Sequence, residues 1–121
     1  MSKYFSPAEF RNCTPSCTID QMDANFLSRL DRVREAAGIP LVLNSAYRSK
    51  SYEKKKGRSG TSSHCEGKAV DIRCNTYANR YKIILAALAE GITRIGIAKT
   101  YIHLDTADDT HTPRVIWDYY G

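Results

Sequence analysis

Ser62-Ser63-His64-Cys65-Glu66-Gly67-Lys68-Ala69-Val70-Asp71, answered downstream by Tyr101-Ile102-His103-Leu104-Asp105, carries the strongest structural signal in the sequence. Gly67 takes the backbone angles of a tight turn, so the chain reverses just after His64. Ala69-Val70-Asp71-Ile72 then alternates as a strand, with Val70 and Ile72 on one face and Ala69 and Asp71 on the other. The second segment has the same period: Ile102 and Leu104 face a core, while Tyr101, His103 and Asp105 face the opposite side. Two neighbouring strands with His and Asp on one shared polar face make a cradle for a cation, and the small Ala69 leaves room in it. A single histidine beside a glycine turn is more often a surface or hydrogen-bonding residue than a ligand. It is the combination of His64, Asp71 and His103 that points to metal. Two imidazoles and a carboxylate suit zinc, and three protein ligands leave the fourth position that distinguishes a catalytic site from a structural one.

The scaffold around these strands reads as α+β. Ser6-Pro7-Ala8-Glu9 has the form of a capping box with proline at the first helical position, and opens a short helix. Met22, Phe26, Leu30, Val33 and Ala37 recur at helical spacing and stop at Gly38. Tyr81, Ile84, Leu85 and Leu88 form a second stripe ended by Gly91, and both stripes are expected in the core. Strands are expected near 41–45, 69–73, 94–98 and 101–105. Helices packed against a small, mostly antiparallel sheet are the expectation. No repeat or Gly/Pro/Ser-rich linker divides the chain, so residues 1–121 are expected to form a single domain.

The pattern S-x-H-x-x-G-x-A-x-D, followed by an aromatic-Ile-His-Leu-Asp strand, resembles the zinc D-Ala-D-Ala carboxypeptidase family. That family includes vancomycin-resistance peptidases and bacteriophage endolysins, and the Hedgehog signalling domain shares its fold. The resemblance takes in Tyr4-Phe5-Ser6-Pro7-Ala8-Glu9-Phe10, Leu43-Asn44-Ser45-Ala46-Tyr47-Arg48-Ser49 and the closing Trp117-Asp118-Tyr119. It implies that His64, Asp71 and His103 ligate zinc and that peptidoglycan stem peptides are the substrate. By itself Arg48 reads as one more exposed arginine. The resemblance makes it a residue that holds substrate and stabilises the oxyanion, a task suited to the planar guanidinium fork. Ser62 matches a substrate-contacting serine more weakly.

The proton acceptor departs from the family pattern. Some members carry Glu three residues before the last histidine ligand, where Thr100 stands here. Others carry a second histidine two residues before it, where this chain has Tyr101. Asp105, on the same strand face as His103, is the first candidate for general base, with orientation of a ligand imidazole as its other possible role. Glu66 comes next. The missing Glu also leaves open a different class of protein, a catalytically silent cell-wall- or protein-binding module that holds zinc for structure.

An apolar share of 42%, a charged share of 26% and a net charge of +5 describe an ordinary globular chain with a leaning toward anionic partners. Arg48, Lys50, Lys54, Lys55, Lys56 and Arg58 cluster in what reads as a flexible, solvated loop. A nucleic-acid arm is the lesser reading, since no aromatic interleaving or binding motif supports it, and nucleic acid is not an expected partner. No apolar run reaches membrane-span length and no signal-peptide stretch opens the chain. The expectation is therefore a monomer that stays cytoplasmic until phage-type lysis brings it to the wall. Cys13, Cys17, Cys65 and Cys74 do not have the spacing of a paired zinc knuckle, and a Cys65–Cys74 disulfide across the metal hairpin is the favoured pairing. His111 receives no role. Trp117, Tyr119 and Tyr120 are expected to pack the terminal segment.

Overall fold

A computed structural model describes residues 2–120. Four α-helices accompany a five-stranded sheet: α1 (Pro7–Arg11), α2 (Ala24–Ala37), β1 (Leu43–Ser45), α3 (Lys50–Lys55), β2 (Ala69–Arg73), α4 (Tyr77–Ala89), β3 (Arg94–Ile97), β4 (Tyr101–Asp105) and β5 (Val115–Asp118). Short 3-10 turns cover Ile19–Gln21 and Ser63–Glu66. The architecture is the α+β one expected. Strand order is β1-β2-β4-β3-β5; all neighbours are antiparallel except β3 and β5, which run parallel.

The central hairpin-like pair is β2 with β4, and its register decides the site. Val70 faces Leu104 and Ile72 faces Ile102 across the strands, and all four side chains are fully buried in the core. The period of two then puts the pairs Ala69–Asp105, Asp71–His103 and Arg73–Tyr101 on the other face. The core is completed by α2, whose stripe Phe26, Leu30, Val33 and Ala37 is buried as expected. Asp23 caps that helix through the Phe26 amide at 2.9 Å, and Gly38 ends it at φ 70°.

Three expectations need correction. On α4 the buried residues are Ile83, Ala86 and Ala87, while Tyr81, Leu85 and Leu88 are exposed. α4 packs on α2, and Ile83 with the small Ala86 and Ala87, rather than Tyr81, Leu85 and Leu88, faces inward. The basic segment after Arg48 is no solvated loop throughout: Ser49 caps α3 through the Tyr52 amide at 3.0 Å, and Glu53 on that helix is only 1% exposed. Finally, Cys65 and Cys74 do not pair: Cys65 sits in the 3-10 turn before β2, and Cys74, just after the strand, places its thiol on the Thr76 carbonyl at 3.5 Å. All four cysteines are free. The sheet also gains β5, which the sequence reading did not anticipate and which turns an antiparallel sheet into a mixed one.

Candidate metal centre

The site is assembled from three segments. His64 sits in the 3-10 turn Ser63–Glu66, which ends at Gly67 with φ 70°. A Cβ at Gly67 would run into the Gln21 carbonyl oxygen, so both the angle and the close approach demand glycine there. Asp71 and His103 come from the adjacent β2 and β4. One ligand atom from each of His64, Asp71 and His103 lies within 4.8 Å of the others, and this is a cluster able to hold a metal ion.

The two imidazoles are fixed in opposite senses. His64 Nδ1–H donates to the Ala46 carbonyl at 2.6 Å, which leaves Nε2 facing Asp71 Oδ1 at 3.3 Å. His103 Nε2–H donates to Asp105 Oδ2 at 2.5 Å, which turns Nδ1 toward the same Asp71 oxygen at 3.0 Å. Each ring thus aims a lone pair at one point while its other nitrogen is anchored by an acceptor, the arrangement that metal-ligating histidines show. Both rings are almost fully buried. Burial alone would raise the Asp71 carboxyl, but hydrogen bonds from His103 and His64 outweigh it and hold it well below the ordinary range. Burial likewise opposes charge on His103, yet its bonds to Asp105 and Asp71 hold it above the usual imidazole value. Asp71 Oδ1 is thus the point on which both imidazoles converge, and a cation held there would be ligated by all three side chains.

Asp105 does not face the cleft. Its carboxylate is fully buried, and both oxygens are taken: Oδ2 by His103 and by the Ser63 hydroxyl at 2.9 Å, Oδ1 by Arg94 Nε at 2.8 Å and the Ala107 amide at 3.1 Å. A general base must reach solvent or substrate, so this geometry corrects the first expectation for Asp105. Glu66 lies at the rim, 28% exposed, where it accepts from Thr110 Oγ1 at 2.6 Å. His111 is 3.0 Å from the Thr61 carbonyl through Nε2 and 2.9 Å from Thr110 Oγ1 through Nδ1. Thr110 and His111 therefore tie the 3-10 turn, through Glu66, and the residues before it, through Thr61, to the segment after β4.

Arg48 is at the cluster. Its Nη1 is 3.8 Å from Asp71 Oδ2 and 3.3 Å from Ser45 Oγ. Its Nε is 2.8 Å from Glu53 Oε2, to which Arg58 Nη1 also approaches at 3.5 Å. A buried carboxylate needs such partners, and Glu53 in turn fixes the guanidinium that faces the cluster. A pocket of about 330 Å³ holds His64, Asp71, His103, Arg48 and Ser62 on its walls. Arg48, Arg58, Asp71 and Tyr101 also border an adjoining cleft of about 580 Å³ beside β1. Trp117 closes the other side. Its ring lies 5.3 Å from the His103 ring and is stacked by the Arg94 guanidinium at 5.0 Å. A Cβ on Gly96 would sit 2.8 Å from the indole, so glycine on β3 is what lets Trp117 lie flat beside the cluster.

The sequence reading brought His64, Asp71, His103, Arg48 and Ser62 to one pocket, and the structure places all five there. It missed Glu53, Ser63, Arg94, Gly96 and the pocket face of Trp117. A usable signal existed for Arg94: a charged residue in the apolar strand Arg94-Ile95-Gly96-Ile97, directly across from Asp105.

A mixed sheet with a His-Asp-His cluster and an arginine at the floor of an open cleft defines the class of single-metal hydrolase-type sites. The family model for peptidase M15 matches residues 3–105, and the chain belongs to that peptidase family. Members are metal-dependent, in keeping with the cluster. The match takes in every candidate ligand and ends with β4, leaving β5 and Trp117 outside it. No curated protein sequence matches the chain.

Proposed function

We propose that the chain is a zinc-dependent peptidase that hydrolyses peptidoglycan stem peptides, with His64 Nε2, Asp71 Oδ1 and His103 Nδ1 as the zinc ligands. The observation that carries this reading is the convergence of those three atoms at the floor of a cleft beside Arg48. Zinc there supplies a polarised carbonyl and a water whose pKa falls towards ~7. The chain's own residues do the rest. Arg48, held by Glu53, binds the substrate carbonyl as negative charge develops on its oxygen. Ser62 contacts the peptide backbone at the wall. Asp105 keeps His103 in the tautomer that ligates. Trp117 and Tyr101 shield the reacting bond from bulk water. The protein acts on the wall as a monomer after release from the cytoplasm, and no described helix is long and apolar enough to cross a membrane.

One observation favours the second reading, a zinc-holding module that binds the wall without cutting it. Asp71 is the only carboxylate among the described residues on the walls of the 330 Å³ pocket, so no spare carboxylate stands ready to take a proton. Incubating zinc-loaded and chelated protein with a defined stem peptide, followed by mass analysis of the products, separates the two. The peptidase reading expects a zinc-dependent fragment that His64→Ala abolishes. Zinc-dependent co-sedimentation with peptidoglycan and an intact peptide would establish the binding module instead.

A further inference from the structure

We propose that Cys13 and Cys17 are a reversible dithiol–disulfide site buried behind the wall of the cleft beside β1, oxidised by a small-molecule disulfide. The backbone brings the pair together where α1 ends. The amides of Cys13 and Cys17 both donate to the carbonyl of Phe10, at 3.2 and 3.1 Å. Two amide nitrogens sharing one acceptor are close neighbours, a placement compatible with the short separation that a disulfide requires. The side chains turn to the same side. Cys17 Sγ lies 3.7 Å from that same Phe10 carbonyl and Cys13 Sγ 3.3 Å from the Glu9 carbonyl, one residue earlier. Cys13 Sγ also lies 3.9 Å from the Leu43 carbonyl of β1. No other cysteine pair is so placed: Cys65 lies beside His64, and Cys74 stands past the far end of β2 with its thiol on the Thr76 carbonyl.

The chemistry favours one member as nucleophile. The neighbouring Cys13 thiol lowers the Cys17 thiol to about 7, against the upward push of its burial. Cys13 is driven the other way, first by the neighbouring Cys17 thiol and then by burial. Cys17 thiolate attacks the small disulfide, forms a mixed disulfide and releases one thiol. Cys13 then attacks the Cys17 sulfur and releases the second thiol. The protein gives up two electrons and two protons, and the reagent's S–S bond is reduced to two thiols. Both cysteines are buried, at 5% and 6% exposure, so the reaction waits on opening of the 12–18 segment and is slow.

Position gives the pair its consequence. Between the cysteines, the Thr14 amide donates to the Asn44 carbonyl at 2.9 Å, and Asn12 and Thr14 line the same cleft as Arg48 and Arg58. Closing the five-residue ring clamps this wall.

The test equilibrates the zinc-loaded chain in glutathione buffers from fully reduced to fully oxidised, then alkylates it under denaturing conditions and maps the peptides by mass. We expect the Cys13 and Cys17 alkylation sites to disappear together, with Cys65 and Cys74 still modified. Cys17→Ser should remove this behaviour and Cys65→Ser should leave it intact. The proposal is overturned if Cys13 and Cys17 stay alkylatable at the most oxidising ratio, or if either links to Cys65 or Cys74 in preference. This outcome does not depend on whether the chain cleaves peptides.

Discussion

Asp105→Asn separates the two roles that an acidic residue beside a ligand histidine can play. In the native site the Asp105 oxygens accept from His103 Nε2, Ser63 Oγ, Arg94 Nε and the Ala107 amide. Asparagine keeps one oxygen, which Arg94 and Ala107 claim. Its NH2 group then opposes Ser63 and His103. The Ser63 hydroxyl can rotate to accept, but an Nε2–H on His103 cannot. The imidazole must move its proton to Nδ1, the nitrogen that faces Asp71 and the proposed metal position. The cost falls on metal binding: we expect zinc affinity to drop about 10–100-fold, or roughly 1.4–2.7 kcal/mol. At saturating zinc, kcat should stay near that of the native chain. Competition with a fluorescent chelator measures the first quantity and peptide cleavage at high zinc the second. A base role for Asp105 makes the reverse prediction, namely unchanged zinc affinity with kcat lowered by ~10²–10⁴. That pair of results would refute the orienting role.

Other perturbations follow from the same contacts. Glu53→Gln removes the charge that anchors Arg48 and Arg58. Because Arg48 is 15% and Arg58 50% exposed, the loss should fall below the ~3–5 kcal/mol of a fully buried pair, near about 2 kcal/mol in urea unfolding. It should also lower kcat more than it raises KM, since Arg48 acts on developing charge; equal kcat with raised KM would contradict that. Gly96→Ala should push Trp117 off β3 at a cost of about 1–3 kcal/mol, read as a red shift in the emission of this single tryptophan; unchanged emission and stability would contradict the packing argument. In metal-free protein, Asp71 and Asp105 are held below the ordinary carboxylate range and His103 above the imidazole one. The carboxylates' contribution is present above about pH 4 and lost as pH falls through their lowered values. That of His103 is present below about 6.5 and lost as pH rises through its raised value. Unfolding free energy without metal should therefore peak between these limits, and saturating zinc should remove the alkaline decline. A metal-free stability that keeps rising above neutrality would contradict this.

What the sequence made legible was local and periodic. Alternation over Ala69–Ile72 and Tyr101–Asp105 assigned each residue to a face, and because the two strands are adjacent in register, the polar face became the site. Periodicity failed on α4 for a physical reason. Tyr81, Leu85 and Leu88 form a clean apolar stripe, yet close helix packing on α2 selects Ala86 and Ala87 for the interior. Size and hydrophobicity pointed one way and steric fit the other. Glu53 was masked by its lysine neighbours, since only the folded chain brings Arg48 and Arg58 onto its carboxylate. The role of Asp105 depended on Arg94 and Ser63, one across a strand and one in a distant turn. β5 pairs parallel to β3 across a long connection, and short-range pattern carries no information about such pairing.

The most direct test of the account is zinc stoichiometry measured by elemental analysis on the dialysed native chain and on His64→Ala, Asp71→Ala and His103→Ala. The account predicts one zinc per native chain and its loss from each variant while the fold, read by circular dichroism, persists. A folded His103→Ala protein that still retains a full equivalent would contradict it.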